Sequence, residues 1–503
     1  MALIFIKAKM AKKKKKTTKS HKKKQKTVVK KIEKKKEIVE PQEPKVEVEK
    51  KPEKLFTKNY LLLWQGQLVS KFGTKIYLIA IILWLQENTG SKTIVSLFSA
   101  SSSLPLVVMA ILGGAVADRF SRKKIIVLSD FLSGVTMLLV ASFFFFNPDY
   151  SILLLVFIFG LTIISSTTQA FFGPAISASI PDIVPEKRVA GANSMGKLSD
   201  SISMFFGTGL GSILYNAIGM PLVMIINGVS FIFSAISESF IKIPQRIPEK
   251  AKSFSKYIEV FKTDLNEGLA YIKKNRGLNR LLMLSIVTGF FAASIAALMV
   301  FYVKEFLGLD NEWFSIFLII SGIGSLIGSI TAGILNLHGD TRKRLLLLFM
   351  LLEAVGYTFL VQVETATPAL VLFTIGGFFS GFTVVNIFTI MQITIPSEIR
   401  GRVLGAMTTL SGSFQPLGIM IGGVTADIIG LKLVFIIAGS LMFLFVLIFS
   451  FNRDLRKLLA HQTAEQMAPT GFTYKIKTVD SDKINEQKEQ YLEEQLKKSR
   501  SEL

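Results

Sequence analysis

The sequence contains no cysteine. That excludes a disulfide framework, a thiolate nucleophile and any Cys-based metal site. Histidine is nearly absent as well: His21, His338 and His461 all lie outside the apolar runs, so no His-based metal centre is expected. No GxxxxGK[ST] loop is present to cradle a phosphate, which rules out direct ATP drive within this chain. His338-Gly339-Asp340 has no nucleophile or metal partner in sequence. No catalytic residues and no cofactor are therefore expected, and the chain does not read as an enzyme.

What is abundant is apolar. The chain of 503 residues is 50% hydrophobic with a mean hydropathy of +0.47, too apolar for an ordinary soluble protein of this size. Twelve apolar spans run roughly 60–85, 94–117, 125–146, 151–173, 195–217, 219–241, 281–303, 313–335, 345–363, 368–391, 403–427 and 431–451. Runs of ~18 residues or more are long enough to cross a ~30 Å hydrocarbon core as helices. The 37 glycines fall mostly inside these spans, which suits closely packed membrane helices. The expected fold is all-α, with twelve transmembrane helices in two six-helix halves.

The formal net charge of +23 looks like a nucleic-acid signal, but residues 1–58 alone carry 22 Lys and 7 Glu. No aromatics interleave with these lysines, so no nucleic-acid partner is expected. Residues 1–54 are low in complexity, too polar to offset their ordering entropy, and read as a disordered Lys-rich tail. Near anionic lipid headgroups each such Lys is worth ~1 kcal/mol, so membrane lipid is the expected partner of this tail. Ala2–Ile6 is too short, and precedes the charge, so it does not read as a signal peptide.

The remaining organisation follows from the loops. Residues 55–241 form the first six-helix half, 242–280 a basic linker, 281–451 the second half and 452–503 a charged tail. Within the linker, Ile258, Phe261, Leu265, Leu269 and Ile272 recur at helical spacing, which predicts an amphipathic helix on the membrane surface. The even-numbered connections carry DRFSRKK, PEKR, the linker, GDTRKR and EIRGR, whereas the odd-numbered ones hold only three lysines. The positive-inside rule then places both termini in the cytoplasm of an inner (cell) membrane protein.

The two halves also match each other. IPDIVPEKRVAGANSM, from Ile180, corresponds to IPSEIRGRVLGAMTTL, from Ile395, and Asp118 corresponds to Asp340 in a second basic turn. Two six-helix copies related by an axis along the membrane normal is the plan of one class of secondary transporter.

Over nearly all of residues 55–452 the sequence resembles a major facilitator superfamily transporter. GxxxDRxxRK at Gly114, Asp118, Arg119, Arg122 and Lys123 resembles that superfamily's signature between helices 2 and 3. WQGQLVSKFG from Trp64, FFGPAISASIPDIVPEKRVAGANSM from Phe171 and RGRVLGAM from Arg400 are similar to the macrolide-efflux and siderophore-exporter branch. The resemblance implies that the Asp118 carboxylate faces the start of helix 11, near Gly401–Val403. There a helix N-terminus would stabilise it by ~0.3–1 kcal/mol and close a gate between the halves. Asp340 and Arg342 belong to the degenerate second copy. The alternative is that Arg119–Lys124 only set topology.

Charges inside spans are functional candidates, because hydrocarbon penalises each by ~2.5–3.5 kcal/mol. Lys71 and Lys75 lie one turn apart on one face of helix 1. A partner is required, and Asp130 or Glu353, near-equivalents in the two halves, is the expected one; the alternative for these acids is pairing with the basic turns. Asp200 is a further charge, in helix 5. Where the resembling family often has an acid in helix 1, this chain has Thr74 beside Lys75, which favours an anionic or zwitterionic substrate. Gln67 and Asn386 are the polar cavity candidates, with plain interhelical hydrogen bonding as the alternative.

Together these features predict a secondary transporter, acting as a monomer, that exchanges protons for an amphipathic small molecule such as a macrolide or siderophore. A lysophospholipid transporter of the same superfamily is the first alternative. A membrane sensor or scaffold without transport is the second.

Overall fold

The computed structural model describes residues 55–146, 151–245, 254–335 and 337–460. The Lys-rich tail and residues 461–503 lie outside the described residues, as do the side chains of residues 110, 111, 115, 118 and 254–261. Among the described residues all regular structure is helical. The first half comprises α1 Lys58–Thr89, α2 Lys92–Arg119, α3 Arg122–Phe146, α4 Ile152–Ile183, α5 Val189–Ile202 and α6 Thr208–Ser239. A connecting helix, α7, spans Phe254–Lys274. The second half comprises α8 Arg276–Ala297, α9 Asn311–Leu335, α10 Gly339–Leu360, α11 Ala366–Thr394, α12 Arg400–Ser413, α13 Gln415–Ile429 and α14 Leu431–Ser450, followed by α15 Arg453–Leu459.

Nine helical stretches among the described residues are long and apolar enough to cross a membrane. One of them, Glu186–Ser239, is broken at Gly219, whose φ of 76° and ψ of 168° only glycine adopts without strain. The second-half α10 falls outside the nine because Lys343, Arg344 and Glu353 leave it no long stretch with so few charges. Helices α12 and α13 fall outside because the chain is interrupted between Ser413 and Gln415, just before Pro416.

Packing repeats from half to half. In the first, α2 lies on α4, α3 on α4 and α6, and α1 on α6; in the second, α9 lies on α11, α10 on α11 and α14, and α8 on α14. The α9–α11 contact shows why glycine matters. Gly324 and Gly328, four apart on α9, face Gly377 and Gly381, four apart on α11. A Cβ on Gly328 would collide with the Phe378 carbonyl, and one on Gly381 with the Ser325 carbonyl. The backbones touch, as small-residue helix pairs do in membranes.

Between halves, α2 packs on α13 and α6 on α9. The basic turns define one face of the bundle, here the basic face; the other is the far face. At the far face one continuous core joins the halves, with Leu83, Val95 and Phe98 sharing it with Leu298, Phe301 and Tyr302. At the basic face there are two separate cores, one around Tyr60, Ile126 and Ile183, the other around Leu281, Leu346 and Val403. The apolar cores of the halves are therefore continuous at the far face and separate at the basic face, while α2 still contacts α7 and α12.

Three expectations need correction here. Helix α7 forms, but its Leu265, Leu269, Tyr271 and Ile272 join the second-half core instead of lying on lipid. Gly268 lets it approach α12: a Cβ there would sit 2.6 Å from the Arg402 carbonyl oxygen. Arg402 clasps the same helix, with Nε 2.8 Å from Asp264 and Nη1 2.6 Å from Glu267. Helix α8 begins at Arg276, inside the stretch expected to be linker. And the C-terminal stretch after 452 starts with α15, whose buried Leu455, Leu458 and Leu459 dock on the second half.

Candidate functional site

Lys71 of α1 and Asp200 of α5 form an ion pair, with Nζ 2.7 Å from Oδ1. Their side chains are 31% and 51% exposed, so the pair sits on a wall and not inside the bundle. Three residues past Asp200 the α-helix loosens into a π-turn at Ser203–Gly207, a distortion that recurs at functional sites. Gly207 ends that turn against α1: a Cβ on it would lie 2.7 Å from the Lys75 Cβ. Lys75 is half-buried there and has no ion-pair partner among the described residues. The wall thus carries two ammonium groups and one carboxylate. The second half is interrupted at the corresponding level, between α12 and α13.

The expected partners of the lysines are corrected by this geometry. Neither Asp130 nor Glu353 meets Lys71 or Lys75, and neither pairs with a basic turn. Asp130 points from α3 into the first half, where Gln169 Nε2 donates to its Oδ1 over 3.2 Å. Glu353 is held by its own helix, accepting from the Tyr357 hydroxyl at 3.4 Å. Helix phase explains the miss: these acids face inward on α3 and α10, whereas Lys71 faces α5. Asn386 is buried and spends its amide on the Phe382 carbonyl one turn back, at 3.0 Å. Gln67, half-buried, lies one turn before Lys71 and makes no side-chain hydrogen bond among the described residues.

The signature turn is partly described. Gly113 packs against α4, where a Cβ would meet the Ala170 carbonyl oxygen at 2.7 Å, and the half-buried Gly114 follows it. Arg122 anchors the turn: its Nη1 reaches Asp182 at 2.7 Å and the Ala178 carbonyl at 2.9 Å. Arg119 and Lys123 flank it, both half-buried. The Asp118 side chain lies outside the described residues. The second copy is used differently. Asp340 pairs with Lys343 of its own helix, and the buried Arg342 donates to the Leu459 carbonyl at 3.3 Å, tying down α15.

The far face holds a polar latch between the halves that sequence reasoning missed. Asp427, at the end of α13, accepts from the Lys92 and Thr93 backbone N–H groups at 3.0 and 2.8 Å and from the Ser91 hydroxyl at 2.8 Å. Those N–H groups are unpaired donors of the first turn of α2, so a carboxylate from the other half caps that helix. Lys92 in turn pairs with Glu305 at 2.9 Å. Glu87 is the second hub, taking Asn311 at 2.9 Å, Lys304 at 3.7 Å and the Tyr215 hydroxyl. Asn216, near the end of the α6 first segment, bonds Asn311 at 2.7 Å and also Glu312 at the start of α9. This mirrors the way the end of α13 meets the start of α2.

Where α5 and α6 meet α9 lies a cleft of about 670 Å³. Its lining is largely apolar, Leu198, Phe205, Phe206, Ile213, Ile316 and Ile319 among them, with Ser201, Ser212, Ser315 and Glu312 as polar exceptions. That volume is in the range of drug-sized sites.

The sequence profile of the Major Facilitator Superfamily matches residues 63–419 and 341–481. The chain belongs to this superfamily. It is thus an integral membrane transporter and not an enzyme, as the motif, repeat and span pattern predict. The superfamily chain is 25% identical over 405 residues to macrolide efflux protein A of Streptococcus pyogenes, covering 79% of this chain and 97% of that one. It is also 25% identical over 414 residues to the multidrug efflux pump Tap of Mycolicibacterium fortuitum, covering 79% and 96%. Its fold is similar to the nucleoside transporter NupG (TM-score 0.61, 14% identity, 78% and 100% covered). A bacterial homologue of the iron transporter ferroportin is similar too (TM-score 0.59, 17% identity, 78% and 98% covered).

Proposed function

We propose that this transporter exports an amphipathic small molecule, macrolide-like or siderophore-like, from the cytoplasm in exchange for protons by alternating access. The observation that carries this is that α5 bears both Asp200, paired with Lys71, and Leu198 and Ser201 of an apolar cleft at the seam between the halves. Lys71, Lys75 and Asp200 would hold the polar end of the substrate, and the cleft its apolar body. With Lys71 neutralised by Asp200, Lys75 supplies the net charge, which suits an anionic or zwitterionic headgroup. The efflux names of the relatives support the direction. By the positive-inside rule the basic face is cytoplasmic, and twelve crossings would place both termini there. The continuous far-face core and separate basic-face cores support a state that opens inward.

Alternating access needs two gates. The Asp427 and Glu87 network closes the far face in the described state. In the opposite state the signature would close the basic face, with Asp118 turned to the start of α12. A lysophospholipid is the second reading, favoured by the scarcity of polar groups in the cleft, which fits an acyl chain.

Accumulation in inside-out vesicles tests this across erythromycin, a hydroxamate siderophore and lysophosphatidylcholine. At least one should accumulate when a pH gradient is imposed and leak out when an ionophore collapses it. No accumulation of any compound, or accumulation indifferent to the gradient, would overturn the proposal.

A further inference from the structure

Glu238 closes a feature that neither the gates nor the substrate wall use. It lies on α6 one residue before the helix ends and is 0% exposed, and Asp130 on α3 is 0% exposed as well. Glu238 lies close enough to Asp130 to feel its charge. Both Glu238 oxygens and Asp130 Oδ2 lack a hydrogen-bond partner. The surrounding groups are neutral. Gln169 of α4 bridges Asp130 and Ser133, at 3.2 and 3.1 Å. From α1 comes Gln65, which donates to Ser237 at 3.1 Å. No Lys, Arg or His forms an ion pair with either carboxyl among the described residues. A separate observation concerns Ser234. It is 0% exposed and lies within reach of both acids, so one hydroxyl is shared between two carboxyl groups.

Two buried carboxylates without a cation, a metal or sufficient donors are costly to leave ionised. Protonation removes that cost: an O–H bond forms on one carboxylate and can donate to the other or to Ser234. We propose that Asp130 and Glu238, with Ser234, form a proton-binding site in the first half, the place where the exchanged proton is carried. The proton enters from water as an O–H bond forms and leaves to water as that bond breaks, with no other reactant. The pair is nearer the basic face, Asp130 being eight residues into α3 and Glu238 at the end of α6. Proton release from it would be inward, the direction an exporter driven by proton entry needs. Coupling at this pair rests on the export reading above, whereas proton binding does not.

Infrared difference spectroscopy on the full-length protein in liposomes, between acidic and alkaline buffer, reads buried carboxylic acids directly. Glu353→Gln in every sample removes a further, half-buried acid of the second half. A protonated-carboxyl band that titrates reversibly is expected, lost in Asp130→Asn with Glu238→Gln and shifted in frequency in Glu238→Asp. If the double variant does not accumulate, the Glu238→Asp shift decides, and an unmoved band overturns the site. A band unchanged in the double variant, no titrating band, or one abolished by sodium at constant pH also overturns it. In vesicles, gradient-driven accumulation of whichever compound the parent protein moves, erythromycin, the hydroxamate siderophore or lysophosphatidylcholine, should be lost in Glu238→Gln while gradient-free exchange persists. Loss of both in that variant overturns its coupling role. A titrating band in a protein that moves no compound would refute the export reading and leave the proton site standing.

Discussion

Asp427 caps a helix that belongs to the other half of the molecule: its Oδ2 accepts the Thr93 backbone N–H at 2.8 Å. The far-face closure therefore rests on a helix cap as well as on apolar packing. Removing such a cap costs about 1 kcal/mol, roughly a fivefold change in population. Asp427→Ala should raise labelling of a far-face cysteine at Lys432 by that factor, with expression retained. Unchanged labelling would reduce the latch to a surface contact.

Lys71 and Asp200 make the next case. An ion pair this exposed contributes about 0–1 kcal/mol to stability. Lys71→Ala and Asp200→Asn should therefore leave thermal unfolding nearly unmoved while impairing transport, more for an anionic substrate than for a cationic one. Lys71→Arg should keep the pair and much of the binding. If both neutral variants transport every compound at the parental rate, the pair is structural.

Gly328 should be intolerant of a single methyl. Its approach to the Phe378 carbonyl leaves no room. Overpacking of this kind costs about 1–3 kcal/mol, so Gly328→Ala should lower the unfolding temperature. Gly333→Ala on the same helix, with nothing within 4 Å, is the control and should be silent. Equal unfolding temperatures for the two would contradict the backbone contact.

The architecture is largely legible in the sequence. Apolar runs, a basic turn repeated half a chain later and matching segments at Ile180 and Ile395 carry the span pattern and the duplication. Side-chain direction was not legible. Asp200 was visible as a charge in a span, but its place against Lys71 depends on how two helices distant in sequence are rotated. Glu238 stands in SES at the edge of an apolar run and reads like an interfacial residue. Only the rotation of α6 turns it into the bundle. Asp427 and Glu87 sit in the last turns of α13 and α1, beside short polar connections of the kind every membrane protein has. Their meaning comes from the opposite half, which no local pattern encodes. Helix α7 misled because one apolar stripe fits lipid or protein equally well.

The Lys-rich tail gives a prediction from sequence alone. Deleting residues 2–54 should leave insertion and transport intact and weaken binding to anionic vesicles, an effect that salt screens. Loss of transport in a correctly inserted deletion would assign the tail a part in the cycle.

The central claim is that two halves rock about the substrate wall, closed at the far face when open at the basic face. Because the chain lacks cysteine, pairs of spin labels can be placed without background. Asn88 with Lys432 reports the far face, and Lys187 with Glu398 the basic face. Pulsed electron–electron distance measurements in lipid should give short, narrow far-face distances and long basic-face ones at rest. Changing pH or adding a transported compound should lengthen the first and shorten the second together. Distributions that stay fixed on both faces under every condition, or that move independently, would contradict alternating access.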